Sequence, residues 1–182
     1  MRDEIFGLHG LTALIIDDNN AMRNLMQRIL RGLGADRVLQ ADSGREAMVL
    51  IRDEQPDFIT IDHRMEGMDG VSMIKLIRTS EDSPNPYLPI LMVTGYAEPD
   101  VVIGARDAGV NEFIAKPVSV ETVAGRLSLM IQSSRPFVKS GDYFGPDRRR
   151  RKTPPADCPK RRSTDVRDPT LSDEDQGLEI VD

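Results

Sequence analysis

The sequence has no tryptophan, a single cysteine, two histidines, and only five Phe and three Tyr among 182 residues. A core built from it must be mainly aliphatic. The lone Cys158 excludes an intrachain disulfide and a cysteine-built zinc site, and its isolation fits a reducing compartment. No stretch approaches the ~20 apolar residues of a membrane-spanning helix. The opening residues, MRDEIFGLHG, carry two acids and no apolar run, so no secretory leader is expected. These absences together point to the cytoplasm.

What is present is charge, unevenly spread. The formal net charge is −6. Residues 135–182 hold 11 Lys/Arg and 10 Asp/Glu, which leaves 13 and 20 in residues 1–134. An acidic folded part of this kind repels a phosphate backbone. The basic run 148–152, RRRRK, is read as a solvated stretch or a docking site for an acidic partner. Nucleic acid is not an expected partner, because no folded binding module or stacking platform accompanies the run. Nor is a membrane, because no lipidation signal or amphipathic helix does.

From residue 11 to about 133, short apolar runs alternate with helix-period segments. The runs are 11–16 (LTALII), 38–41, 58–61 before Asp62, 88–93 (LPILMV) and 112–115 (EFIA). Between the first two, Met22, Leu25, Met26, Ile29 and Leu30 recur at helical spacing. Ser43 with Glu46 forms a capping-box pattern for a second helix with Ala47, Val49, Leu50 and Ile51. Asp69-Gly70 opens a third, with Val71, Ile74, Leu76 and Ile77. Pro99 sits in a first-turn position of a fourth, and Ser119 caps a fifth. Five β-α repeats predict an α/β fold, a doubly wound five-stranded parallel sheet with helices on both faces. The expected division is a lead-in over 1–10, one domain over 11–133, and a tail over 134–182, basic and then acidic. With six prolines beyond residue 133 and little apolar periodicity, the tail is expected to be disordered.

In such a sheet, ligands gather past the carboxyl ends of the strands. Five polar residues fall there: Asp17 and Asp18, Asp62, Thr94 and Lys116. Three carboxylates brought together repel one another and resist ionisation. A divalent cation removes that conflict, and oxygen-only donors favour magnesium, or manganese, over zinc. A lysine and a hydroxyl beside them suit a phosphoryl group. Asp62, ending the central run, is the candidate nucleophile. His63 is read as solvent-facing rather than catalytic.

These residues resemble the receiver domain of bacterial two-component response regulators, similar to the stand-alone chemotaxis receiver. The resemblance rests on Asp17-Asp18, on the string from Asp62 through Met65 and Met68 to Asp69-Gly70, and on Thr94-Gly95, Ala108-Gly109-Val110 and Lys116-Pro117. It implies a flavodoxin-like strand order, 2-1-3-4-5. It also implies that Asp62 accepts a phosphoryl group from a histidine kinase or a histidine phosphotransfer protein. Mg2+ would be held by Asp17, Asp18, Asp62 and the backbone carbonyl of Arg64. Thr94 would bond a phosphoryl oxygen, Phe113 would occupy the switch position, and Lys116-Pro117 would be cis. Output would run to a downstream protein through residues 99–131 or the tail. The domain would be a phosphoacceptor that assists its own phosphorylation and dephosphorylation, not an enzyme. Glu66 departs from the proline usual there, and Phe113 lacks a tyrosine hydroxyl. Arg64 and Tyr96 would flank the path of hydrolytic water and slow loss of the phosphoryl group. Two alternatives stay open: a magnesium-dependent phosphohydrolase working through an aspartyl-phosphate, and a receiver-fold scaffold that is never phosphorylated.

Overall fold

The structure, a computed structural model, describes residues 7–95, 98–132 and 135–148, and the backbone of 179–181. Five strands, β1 (Thr12–Ile16), β2 (Arg37–Ala41), β3 (Phe58–Asp62), β4 (Ile90–Thr94) and β5 (Glu112–Ala115), alternate with five helices. The helices are α1 (Asn20–Gly32), α2 (Gly44–Glu54), α3 (Gly70–Thr79), α4 (Pro99–Asp107) and α5 (Val120–Gln132). The strands form one parallel sheet in the order β2-β1-β3-β4-β5.

The period-two alternation of the strands divides the core. Leu14, Ile16, Ile59, Ile61, Ile90 and Met92 pack with Ala47, Ile51, Met73, Ile74, Ile77 and Ala105 of α2, α3 and α4. Ala13, Ile15, Phe58, Leu91, Val93 and Ile114 pack on the other face with Met26, Ile29, Leu30, Val123, Leu127 and Met130 of α1 and α5. Phe58 is the one aromatic side chain among the largest fully buried residues, in keeping with an aliphatic core.

The helix boundaries follow local chemistry. The Asn19 side chain accepts from the backbone N–H groups of Ala21 and Met22. Asp69 accepts from Ser72 N–H. The Ser43 hydroxyl accepts from Glu46 N–H, and the Glu46 carboxylate reaches back to Asp42 N–H, one residue before the cap. Three apolar positions expected to face inward do not: Leu25, Val49 and Leu76 are exposed. Leu25 and Leu76 sit next to better-placed Met26 and Ile77, one 100° step away, and Val49 sits two steps, about 200°, from Ile51.

Packed structure continues past both expected ends of the domain. Leu8, inside the supposed lead-in, is fully buried, and its N–H donates to Leu33 O at 2.8 Å. The segment after α5, expected to be disordered, instead forms an antiparallel hairpin, β6 (Phe137–Ser140) and β7 (Tyr143–Pro146), turning at Gly141 and Asp142. Phe137 and Phe144 close a three-ring cluster with Tyr87, with centroids 5.2 to 5.5 Å apart. Aromatic pairs contribute about 0.5–1.5 kcal/mol beyond the area they bury, so this cluster helps to order a segment whose composition suggested nothing would fold. A third strand, β8 (Glu179–Val181), pairs with the outer edge of β6. The basic run from 149 to 152 and Cys158 lie outside the described residues.

The hairpin packs over the end of the sheet opposite the carboxyl-terminal edge. Gly109 and Gly145 meet backbone to backbone: a Cβ on Gly145 would stand 2.8 Å from Gly109 Cα. Beneath it lies Arg78, only 3% exposed. Its guanidinium donates to Gly109 O at 3.0 Å, Pro86 O at 2.7 Å and Asn111 Oδ1 at 3.0 Å, and stacks 5.1 Å from the Phe137 ring centroid. Burial lowers its pKa to about 9, and with three oxygens holding its donors the group stays a cation at neutral pH. Arg135 donates to Asn111 O and to Asp147 O. Arg148 lies 3.8 Å over the Tyr143 ring and pairs with Asp107 at 3.4 Å.

Candidate functional site

The parallel register places the site. Ile16 stands opposite Ile61, Asp62 opposite Val93, and Thr94 opposite Ala115. The residues that end or follow these strands therefore crowd one edge: Asp17, Asp62, Thr94 and Lys116. Neighbouring parallel strands lie about 4.8 Å apart, within reach of a lysine side chain.

Lys116 gathers the acids. Its Nζ lies 2.7 Å from Asp62 Oδ1 and 3.5 Å from Asp17 Oδ2. Its backbone N–H donates to Thr94 O at 2.6 Å, which fixes the chain as it leaves β5. The Lys116-Pro117 peptide is cis. Each carboxylate has a second anchor. Asp62 Oδ2 accepts from Arg64 N–H at 3.1 Å, and Asp17 Oδ1 accepts from Asn19 N–H at 2.8 Å. Asp18 Oδ2 accepts from Glu66 N–H at 2.9 Å, joining the loop after β1 to the loop after β3. The Arg23 guanidinium donates to Asp17 O at 2.7 Å.

Charge balance at the site leans negative. Asp17 and Asp62 are buried, and one ammonium serves both. Burial pushes the Asp17 carboxyl above its ordinary range, and the amide of Asn19 and the charge of Lys116 offset only part of that rise. For Lys116, burial works to lower the ammonium pKa, but the Asp62 hydrogen bond and the Asp17 charge outweigh it and hold it above its usual value. Among the described residues, no three Asp, Glu, His or Cys side chains enclose a metal by themselves. The donor chemistry nevertheless fits a hard divalent cation. Asp17, Asp18, Asp62 and the peptide of Arg64 offer oxygen alone, and a carboxylate whose ionisation burial opposes gains from added positive charge.

The expected residues divide by position. Asp17, Asp62 and Lys116 are in direct contact. Thr94, fully buried, adjoins them through its backbone bond to Lys116. Asp18 is exposed at the rim, tied to Glu66. Phe113 is half-buried, opposite Met92, and packs into the cluster on the α2–α4 face rather than at the site. Tyr96 lies outside the described residues.

Sequence reasoning missed two contributors. Asn19 fixes Asp17 as well as capping α1. Gly70 permits the backbone to pass Asp62: a Cβ there would lie 2.2 Å from Asp62 O, while its N–H donates to His63 O at 2.9 Å. The signal was the Asp69-Gly70 pair, which reads as a turn and conceals a steric demand from eight residues upstream. The His63 ring is half-buried rather than solvent-facing. Its Nδ1 is the one buried side-chain polar atom, among the described residues, without a hydrogen-bond partner.

Comparison with known proteins agrees with this fold. Residues 13–128 match the family described as the response regulator receiver domain. Over 119 residues the chain is 35% identical to chemotaxis protein CheY-3 of Vibrio cholerae, covering 65% of this chain and 90% of that one. It is 33% identical over 119 residues to chemotaxis protein CheY of Pseudomonas aeruginosa, covering 65% and 94%. Among solved structures, chemotaxis protein CheY4 of Vibrio cholerae superposes with a TM-score of 0.60 at 28% identity, over 65% of this chain and 96% of that one. The family match ends before the hairpin of β6 and β7 begins.

Proposed function

This chain belongs to the response regulator receiver domain family, and from that premise we propose that it is a phosphorylation-controlled signalling switch with Asp62 as the phosphoacceptor. The observation that carries the reading is the 2.7 Å contact between Lys116 Nζ and Asp62 Oδ1, with Asp17 sharing the same ammonium.

The donor is the phosphohistidine of a histidine kinase or a histidine phosphotransfer protein. An Asp62 carboxylate oxygen attacks phosphorus in line, the P–N bond breaks, and its electron pair leaves with the imidazole. The product is an acyl phosphate on Asp62. Lys116 turns from the carboxylate to a phosphoryl oxygen, and the Thr94 hydroxyl bonds another. Receiver domains generally bind Mg2+, and Asp17, Asp18, Asp62 and the Arg64 carbonyl would hold it here. When bound, it supplies positive charge against the phosphoryl oxygens. The domain carries one phosphoryl group per cycle and so acts as a switch in the cytoplasm rather than an enzyme, while its own residues assist both gain and loss of the group. Arg64, exposed beside Asp62, slows that loss by crowding the approach of water.

Thr94 moving toward the phosphoryl group frees space at β4, and Phe113, opposite Met92, repacks into it. The face formed by α4, β5 and α5 then shifts between two populations and signals to a protein partner.

The test is intact-mass analysis after incubation with magnesium and a small-molecule phosphodonor. The parent protein gains one phosphoryl adduct and Asp62→Asn gains none. A folded parent that gains no adduct would replace this reading with that of a receiver-fold scaffold. Sustained hydrolysis of a generic phosphate ester would favour the phosphohydrolase.

A further inference from the structure

Strand β6 has two unlike edges. One is fixed to β7 by the turn at Gly141 and Asp142, with Phe137 opposite Pro146 and Ser140 opposite Tyr143. The other pairs antiparallel with β8, which places Phe137, Val138 and Lys139 opposite Val181, Ile180 and Glu179. Thirty residues of sequence separate Arg148 from Glu179. The last stretch of the chain thus returns to the hairpin that it left.

We propose that this second edge of β6 is a docking groove for the chain's own C-terminal strand, Glu179–Val181, which acts as a releasable intramolecular clasp.

Four observations support it. The groove is presented by a firmly held platform: the cluster of Tyr87, Phe137 and Phe144, the Arg135 bonds to Asn111 and Asp147, and the pair of Arg148 with Asp107. The edge has only part of the usual protection. An unpaired strand edge invites pairing, and proteins blunt it with proline, a bulge, lysine or short length; Phe137–Ser140 has no proline or bulge, and its one lysine, Lys139, stands opposite Glu179. The register is complementary by residue type, with apolar residues opposite each other at two positions and Lys139 opposite Glu179 at the third. Net charge differs in sign as well: residues 168–182 carry six acids and no base, while 135–148 carry Arg135, Lys139 and Arg148 against Asp142 and Asp147, a net of +1.

Release follows from length. A three-residue strand makes few backbone hydrogen bonds, each of small net value, and these must offset the closure entropy of the intervening chain. Covalent connection through thirty residues of sequence corresponds to an effective concentration on the order of mM, enough to favour closure without making it permanent. Opening uncovers a strand-acceptor edge, the feature by which sheets take extended peptides.

The test is hydrogen–deuterium exchange by mass spectrometry on the full chain, a truncation after Gln176, and Ile180→Pro, which removes a backbone donor from the strand. The expected result is severalfold faster exchange across 136–141 in both variants, with β3, β4 and β7 unchanged. A synthetic peptide of residues 175–182, supplied at mM concentration, restores protection to the truncated chain, and the same peptide with proline at position 180 does not. Unchanged exchange at 136–141 in both variants would overturn the proposal. So would loss of β7 protection in both, which would make β8 a fixed part of the fold. Protection that rises with protein concentration together with a dimer mass by light scattering would overturn it too, by assigning the groove to a second copy.

Discussion

A β-carbon on residue 70 would stand 2.2 Å from the carbonyl oxygen of Asp62. Gly70 thus lets the first turn of α3 pass directly over the backbone of the candidate phosphoacceptor. Gly70→Ala forces one of two backbones to move. Overpacking of this kind costs roughly 1–3 kcal/mol, and the piece displaced carries Asp62. The expected outcome is a lower urea midpoint together with slower gain of the phosphoryl adduct. An unchanged midpoint would mean that the loop after β3 yields freely.

Asp17 gives a pH prediction of definite sign. Its folded pKa lies above the ordinary value of 3.8, with burial as the largest cause. The folded state therefore binds this proton more tightly than the unfolded chain, and stability falls as pH rises from the unfolded to the folded pKa. At pH 7 the ionised group costs stability. Metal-free Asp17→Asn should melt above the parent at pH 7, and the gap should close as pH falls to about 3, where Asp17 is protonated in both states. Added Mg2+ should raise the parent's Tm and leave that of the variant nearly unmoved. A lower Tm for the metal-free variant at pH 7 would contradict the assignment.

Arg78 ties α3 to the loop before β4, the end of α4 and the start of β5. Arg78→Met leaves Gly109 O, Pro86 O and Asn111 Oδ1 without this donor. Unsatisfied buried acceptors cost about 1–3 kcal/mol each when nothing replaces the bond, and relaxation reduces the sum, so a loss of roughly 2–4 kcal/mol is expected by chemical denaturation. Arg78→Lys should not rescue, since an ammonium cannot span three divergent oxygens. Full rescue by lysine would show that charge alone matters here.

Removing the hairpin distinguishes a folded extension from an idle tail. Truncation after Ser134 uncovers Tyr87 and Arg78 and removes Phe137 and Phe144. Burial of a phenylalanine such as Phe137 is worth roughly 1.5–3 kcal/mol, and half-buried Phe144 adds less, so the truncated chain should melt clearly lower while still accepting a phosphoryl group at Asp62. An unchanged Tm would return the segment to the status of a solvated tail.

Much of the fold was legible because each local signal had a single physical reading. The runs ending at Ile16, Asp62 and Thr94 alternate between two apolar faces, and the caps at Asn19, Ser43 and Asp69 mark where helices begin. The direct contact of Asp17, Asp62 and Lys116 followed from strand order and register. What stayed hidden depends on contacts far apart in sequence. The hairpin of β6 and β7 offers only four residues per strand, too few for periodicity to register. Its partner Tyr87 lies about fifty residues upstream. Arg78 reads as a surface charge until Asn111 and Gly109 are brought to it. Gly70 reads as a turn former because the clash it avoids is with a backbone atom at the end of β3.

The most direct test of the central claim is to locate the phosphoryl group. Borohydride reduces an acyl phosphate on aspartate to homoserine, and peptide mapping then reads its position. After phosphorylation with magnesium present, homoserine is expected at residue 62 alone. Homoserine at Asp17 or Asp18, or phosphorylated protein with none at residue 62, would contradict the account.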